Sequence, residues 1–223
     1  MGRPKEFDSE VVLDAATNCF WADGISRTSI SSLVDAMKIQ RSSFYNSFGS
    51  REGILATVLE RYMEKSPLNS LIKNEAGPDD IQPEIELIDL LLDFSHFLVE
   101  EGNGRGCLIF NGLAELRAQD GQIFEIFQDY YTNLTGGLSR LLDRIRAEAG
   151  AGDTLGHISL HHVLCILIGM AHYSKLDPTE NRLSQIGLDQ LSGLSPYFAA
   201  QIKNDEGSRA TERRLLNAAR MRA

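Results

Sequence analysis

Apolar residues recur along this chain with the period of a helix almost everywhere, and strand-like alternation is nearly absent. Val12, Ala16, Cys19 and Phe20 share the inner face of a helix expected over about Asp8 to Asp23, which Gly24 ends. Thr28 is the expected N-cap of a second helix, where Ile30, Leu33, Val34 and Met37 fall at i, i+3, i+4 and i+7. A short third helix is expected from Gln40 to Asn46, with Phe44 turned inward and Phe48 entering the core just past its end. Ser50 then caps a longer helix carrying Ile54, Leu55, Val58, Leu59 and Tyr62.

From Ser66 to Pro83 the composition shifts to Asn, Gly, Pro, Asp and Ser, which predicts a loop. Further helices are expected over about Ile81 to Glu101, at RGCLIFNGLAEL, over Gln122 to Glu148, His157 to Leu176, and Ser184 to Lys203. In the Gln122 helix Phe124, Phe127, Tyr131, Leu134, Leu138, Leu141 and Ile145 form a near-heptad stripe, interrupted in character by Gly136 and Gly137. The His157 helix is apolar almost all round, which places it inside the core or against a second subunit. The expected architecture is all-α with about nine helices. An N-terminal three-helix helix-turn-helix domain spans 1–62, a larger helical domain spans 63–207, and a basic, frayed tail spans 208–223.

The stretch Phe20 to Phe48 carries the chemistry. Two short helices around a turn, followed by a polar helix that sends Gln40, Arg41, Ser43, Tyr45 and Asn46 outward, suit entry into the DNA major groove. Arg41 and Gln40 match guanine and adenine edges, and Asn46 can do likewise, each pairing worth roughly 1–3 kcal/mol of discrimination. So short a helix reads few base pairs, and adequate affinity calls for two copies on two half-sites.

Net charge of −9 argues at first against a nucleic-acid partner. Its distribution removes the objection. Residues 1–61 hold 7 Lys and Arg against 8 Asp and Glu, so nearly all the excess lies further along the chain. Arg3, Lys5, Lys38, Arg41 and Arg51 fall beside the expected DNA face, where local placement of cations decides phosphate contacts. Three unevenly spaced cysteines imply no disulfide framework, and the opening MGRPKEF lacks the apolar run of a signal peptide; both point to the cytoplasm. No run is apolar enough to span a membrane.

The pattern Phe20-x3-Gly24-x3-Thr28-Ser29-Ile30, then Phe44-Tyr45-x2-Phe48 and Ser50-Arg51-Glu52, resembles the DNA-binding domain of the TetR family of bacterial transcriptional regulators over residues 8–62. The resemblance implies a homodimer that binds a double-stranded DNA operator as a repressor and releases it when a small molecule enters the C-terminal domain. It implies groove contacts from Gln40, Arg41, Ser43 and Asn46, and a phosphate contact from Tyr45. Arg51 stands where a lysine usually meets the backbone, Thr28 and Ser29 contact phosphate at a helix N-terminus, and Arg3 and Lys5 form a mobile arm. Two positions depart from the family. Lys38 replaces a turn glycine at a cost of order 1 kcal/mol in a left-handed conformation, and Ser42 replaces a common glycine or alanine.

Arg105-Gly106-Cys107-Leu108 resembles a GCL motif found in a subgroup of these regulators, in some of which the cysteine senses electrophiles or oxidants. A thiol in the first turn of a helix, two residues from Arg105, would have its thiolate stabilised; a small buried packing residue is the other reading of Cys107. Phe94, Phe97, Cys107, Phe110, Asn111, Glu115, Phe127 and Tyr131 are the expected lining of an apolar ligand pocket, or else core. His157, His161 and Cys165 share a helical face, but eight residues are too long a span for one ion, so no metal or other cofactor is expected. His162 and His172, offset from them, line a pocket or the dimer interface. No nucleophile elbow, phosphate loop or HExxH occurs, so no enzyme is expected. A dimer of this fold that has lost DNA binding and acts through protein contacts is the remaining alternative.

Overall fold

The computed structural model of the protein describes residues 9–73, 82–149 and 158–204. Within them every regular element is helical: α1 (Ser9–Asp23), α2 (Ile30–Met37), α3 (Arg41–Phe48), α4 (Arg51–Glu64), α5 (Asn69–Ile72), α6 (Pro83–Glu100), α7 (Leu108–Glu115), a 3₁₀ turn (Ala118–Asp120), α8 (Gln122–Ala149), α9 (Leu160–Tyr173) and α10 (Glu180–Leu194). Among the described residues, these ten α-helices and a further helical segment over 196–204 stand where about nine helices were expected. No helix among these residues is long and apolar enough to cross a membrane.

The first four helices form around one aromatic centre. Val12, Ala16 and Phe20 of α1, Leu33 and Met37 of α2, Phe44 of α3, and Ile54, Leu55 and Val58 of α4 are all buried. Phe44 packs against Phe48 with ring centroids 5.7 Å apart. Arg61 ties α4 to α1 through Glu10 and Asp14, both at 2.6 Å. At the start of α4 the Ser50 hydroxyl accepts the Gly53 N–H at 3.1 Å, the cap the sequence predicts.

Beyond residue 64, α6, α8, α9 and α10 pack on one another, with α5 and α7 laid against α8. Leu87, Leu91, Phe94, Leu138, Ile145, Val163, Leu167, Met170 and Leu191 are buried between them. The close fit of α5 and α7 is made by glycines. A Cβ on Gly137 would stand 2.4 Å from the Leu71 carbonyl oxygen, and one on Gly112 only 2.2 Å from the Phe127 ring.

Several boundaries differ from the sequence reading for local reasons. Ser29, not Thr28, caps α2: its hydroxyl accepts the Ser32 N–H while the Ser32 hydroxyl accepts the Ser29 N–H. Helix α3 begins after Gln40 and runs on through Phe48. The expected loop 66–83 contains α5, and α6 starts at Pro83, where the missing N–H costs nothing. Helix α9 is shorter at both ends than His157 to Leu176. The expected Ser184 to Lys203 helix is two: α10 starts four residues earlier, at Glu180, and ends at Leu194, Ser195 is extended ahead of Pro196, and residues 196–204 form a second helical segment. Arg3, Lys5, His157 and the basic tail lie outside the described residues.

Candidate nucleic-acid interface

Helix α3 is held by one side and offered on the other. Phe44 is fully buried, whereas Gln40, Arg41, Tyr45 and Asn46 are exposed and Ser43 is half-buried. Tyr45 is 43% exposed although its ring packs edge-on against Phe44. The Arg41 guanidinium lies 6.0 Å from the Tyr45 ring centroid, a cation–π distance that orders a long side chain at an exposed site. Gln40, at the N-cap, and Arg41 and Asn46, on the helix, are thus all left exposed.

The turn ahead of α3 adds a cation. Lys38 adopts φ 53°, ψ 40°, the left-handed conformation the sequence requires of it, and its N–H bonds back to the Asp35 and Val34 carbonyls. The side chain remains exposed. Ser29 is also exposed, at the N-terminus of α2, where free N–H groups and the helix dipole favour an anion.

Two expected phosphate contacts are corrected. Thr28 is 1% exposed, and its hydroxyl donates to the Gly24 carbonyl at 2.7 Å, so it locks the α1–α2 turn from inside. Arg51 folds back onto the same turn. Its Nε donates to the Thr28 carbonyl at 2.5 Å and its Nη2 donates to the Ile25 carbonyl. Burial lowers the Arg51 pKa. A buried carbonyl without a donor costs free energy, so the guanidinium is used in fixing the turn that aims α2.

The residues expected to line a ligand pocket divide in two. Phe94, Phe97, Phe110 and Phe127 are buried, and Phe94 stacks on Phe97 at 6.3 Å and meets Phe110 edge-on at 6.2 Å. Asn111, half-buried, turns instead to the loop ahead of α7: its Nδ2 donates to the Arg105 carbonyl at 2.8 Å, while its Oδ1 is buried beside Gly106 without a partner. Tyr131, at 38% exposure, and Glu115 lie outside that layer. Glu115 instead reaches the α1–α2 turn, where Oε2 accepts the Ser26 N–H at 3.2 Å. No local sequence signal marks a partner 89 residues away.

Cys107 precedes α7 and is 2% exposed. Burial pushes its thiol above the usual range, against the lowering effect of the Tyr62 hydroxyl and the Phe110 and Ile109 N–H groups. The cation expected to help is engaged elsewhere, since the Arg105 guanidinium covers the Trp21 ring at 4.1 Å and donates to Asn18 at 2.7 Å. Of the two readings of Cys107, its burial and the engagement of Arg105 elsewhere favour the packing residue over the stabilised thiolate. Among the described residues no group of three or more His, Cys, Asp or Glu could hold a metal ion. His161 and Cys165 are exposed on α9, and His162 lines a shallow cavity of about 350 Å³ with Cys165, Ile166, Gly169 and Tyr173.

Residues 12–58 match the bacterial regulatory proteins of the tetR family. The HTH-type transcriptional repressor ComR of Escherichia coli (strain K12) is 26% identical over 191 residues, 83% of this chain and 88% of that protein. The HTH-type transcriptional repressor BdcR of the same organism is 26% identical over 132 residues, 58% of this chain and 63% of its own length. Among solved structures, a cysteine mutant of the TetR family transcriptional regulator CifR, complexed with 26-bp double-strand operator DNA, shares the fold at TM-score 0.63 and 22% identity, across 86% of this chain and 100% of that one. A TetR family regulator from Agrobacterium tumefaciens does so at TM-score 0.66 and 12% identity, across 83% and 96%. With the buried Phe44, the left-handed Lys38 turn and the exposed Arg41, these likenesses agree: residues 12–58 match the tetR family of bacterial regulatory proteins, and the chain as a whole is similar to HTH-type transcriptional regulators.

Proposed function

We propose that the protein is a ligand-responsive homodimeric repressor that binds a palindromic operator through α3 and releases it when a small molecule enters the helices after residue 63. The observation that carries the DNA-reading part is α3 itself, seated on Phe44 with Gln40, Arg41, Tyr45 and Asn46 exposed. In this reading Gln40, Arg41 and Asn46 contact base edges, Ser43 lies against the groove wall, and Tyr45, Lys38 and Ser29 meet phosphates. Arg3 and Lys5 extend the phosphate contacts. Arg51 and Thr28 hold the turn and touch no DNA through their side chains.

One reading head is too small for a specific site, so the operator has two half-sites and the protein two subunits. The surface for the second copy is the outward face of α9, where His161, Cys165, Ile168, Gly169 and His172 form one exposed stripe. Ile168 is 38% exposed on a helix whose other face is core. For the effector, the layer of Phe94, Phe97, Phe110 and Phe127 supplies apolar contact, and Asn111 Oδ1 is the buried acceptor that a ligand donor would satisfy. Repression follows the named roles of ComR and BdcR.

Selection of bound duplexes from random DNA, at a stated salt concentration, tests the reading. The expected result is a palindrome with half-sites about one helical turn apart or a multiple of it. Enrichment of no sequence by a folded dimer would overturn it. Arg41→Ala with Tyr45→Ala should lose the selected operator while the dimer persists.

A further inference from the structure

The segment from Arg105 to Glu115 touches α1 at its front end and the α1–α2 turn at its back end. At the front, Arg105 lies over Trp21 at 4.1 Å and donates to Asn18 at 2.7 Å. At the back, Glu115 accepts the Ser26 N–H, and its carboxylate stands 2.8 Å from where a Cβ on Gly24 would be. Between the two ends, α7 is seated on α8, with Phe127 filling the space over Gly112. The Leu108 N–H adds a bond to the Tyr62 hydroxyl of α4 at 3.3 Å. Arg51 grips the same α1–α2 turn through its carbonyls. The turn that leads into α2 is thus fixed twice, once by Arg51 of α4 and once by Glu115 of α7.

We propose that α7 is a strut whose ends, Arg105 and Glu115, set the orientation of the reading head relative to the rest of the subunit, and so determine which spacing of operator half-sites the dimer accepts. The inference rests on the dimeric DNA-binding reading above. Its physical basis is that two heads must engage two half-sites at once. A head held at one angle fits one spacing, and a head released from its strut samples several, with each correct fit less populated. Arg105 and Glu115 act here as positioning residues and contact no DNA.

The test compares the selected operator with versions carrying one base pair inserted or deleted between the half-sites. Binding is read by fluorescence anisotropy on the full-length protein. Wild type should discriminate against the altered spacings. Glu115→Ala and Arg105→Met should each bind the selected operator about fivefold more weakly, the change that loss of one ordinary hydrogen bond or exposed cation–π contact gives. They should lose less on the altered operators, so that discrimination falls. Glu115→Gln keeps an acceptor for the Ser26 N–H and should behave as wild type. Trp21 is the only tryptophan, and its emission should change in Arg105→Met, reporting that the front contact has gone. A merely structural loss would lower affinity for all operators alike and reduce the melting temperature. Folded, dimeric variants with unchanged spacing discrimination would overturn the inference alone. A wild type that retains no duplex would overturn the DNA-binding reading and this inference with it.

Discussion

Two cations near the reading head do different work, and substitution separates them. Lys38 is exposed in a left-handed turn, where glycine is the unstrained residue. Lys38→Gly should leave the melting temperature nearly unchanged, since relief of turn strain offsets the added freedom of the unfolded chain. It should reduce the slope of log affinity against log salt by about 0.9, one phosphate contact on B-DNA. Arg51 should behave the opposite way. Arg51→Ala strips donors from the Ile25 and Thr28 carbonyls and should cost about 1–3 kcal/mol of stability in denaturant titration, with little change in salt slope. A salt-slope loss without destabilisation would return Arg51 to the phosphate backbone. The exposure of Gln40, Arg41, Tyr45 and Asn46 was legible in the sequence because they are local to one short helix, with Ser43 half-buried beside them. The sequence did not reveal the inward turn of Arg51 and Thr28, because a polar side chain near a phosphate site looks the same whether it faces DNA or backbone.

At the scale of the element, amphipathic period located α1, α2, α4, α6, α8 and α9 to within a few residues, since each buries one continuous stripe. Helix α5, one turn long, has no period to read. The break after α10 was hidden by apolar residues on both sides of Ser195-Pro196, although a proline there is itself the reason the helix cannot continue. The most telling element-level feature is the adjacent pair of glycines in α8. Both have the same helix propensity, yet their surroundings differ. A Cβ on Gly136 would meet only the end of the Arg140 side chain at 3.4 Å, whereas on Gly137 it would strike the Leu71 backbone. Gly136→Ala should therefore stabilise the protein by about 0.5–1 kcal/mol, the propensity gain alone. Gly137→Ala should destabilise it by about 1–3 kcal/mol, because overpacking against backbone exceeds that gain. Chemical denaturation of the two variants decides it; equal effects would mean that α5 does not rest on α8.

For the whole molecule, the question is what covers α9. Its inner face, Val163, Leu164, Ile166, Leu167, Met170 and Ala171, is consumed by the core. Its outer face is neither charged nor strongly apolar: Ile168 is flanked by His161, Cys165, Gly169 and His172, with open space above Gly169. Solvated helix faces are usually built from Lys, Glu and Arg, and this stripe has none, which is the composition of a surface meant to meet another. Small residues at Cys165 and Gly169 let a partner helix approach closely, and Ile168 supplies the apolar contact. Ile168→Glu should therefore leave the monomer folded, since the side chain is already partly in solvent, while placing a charge on the face proposed for the second copy. Sedimentation should show a monomer, circular dichroism an unchanged helix content, and operator affinity should fall by at least two orders of magnitude, because a single head keeps only one half-site. A dimer that survives Ile168→Glu would place the two-fold contact on another face, and the half-site spacing would then be set from there.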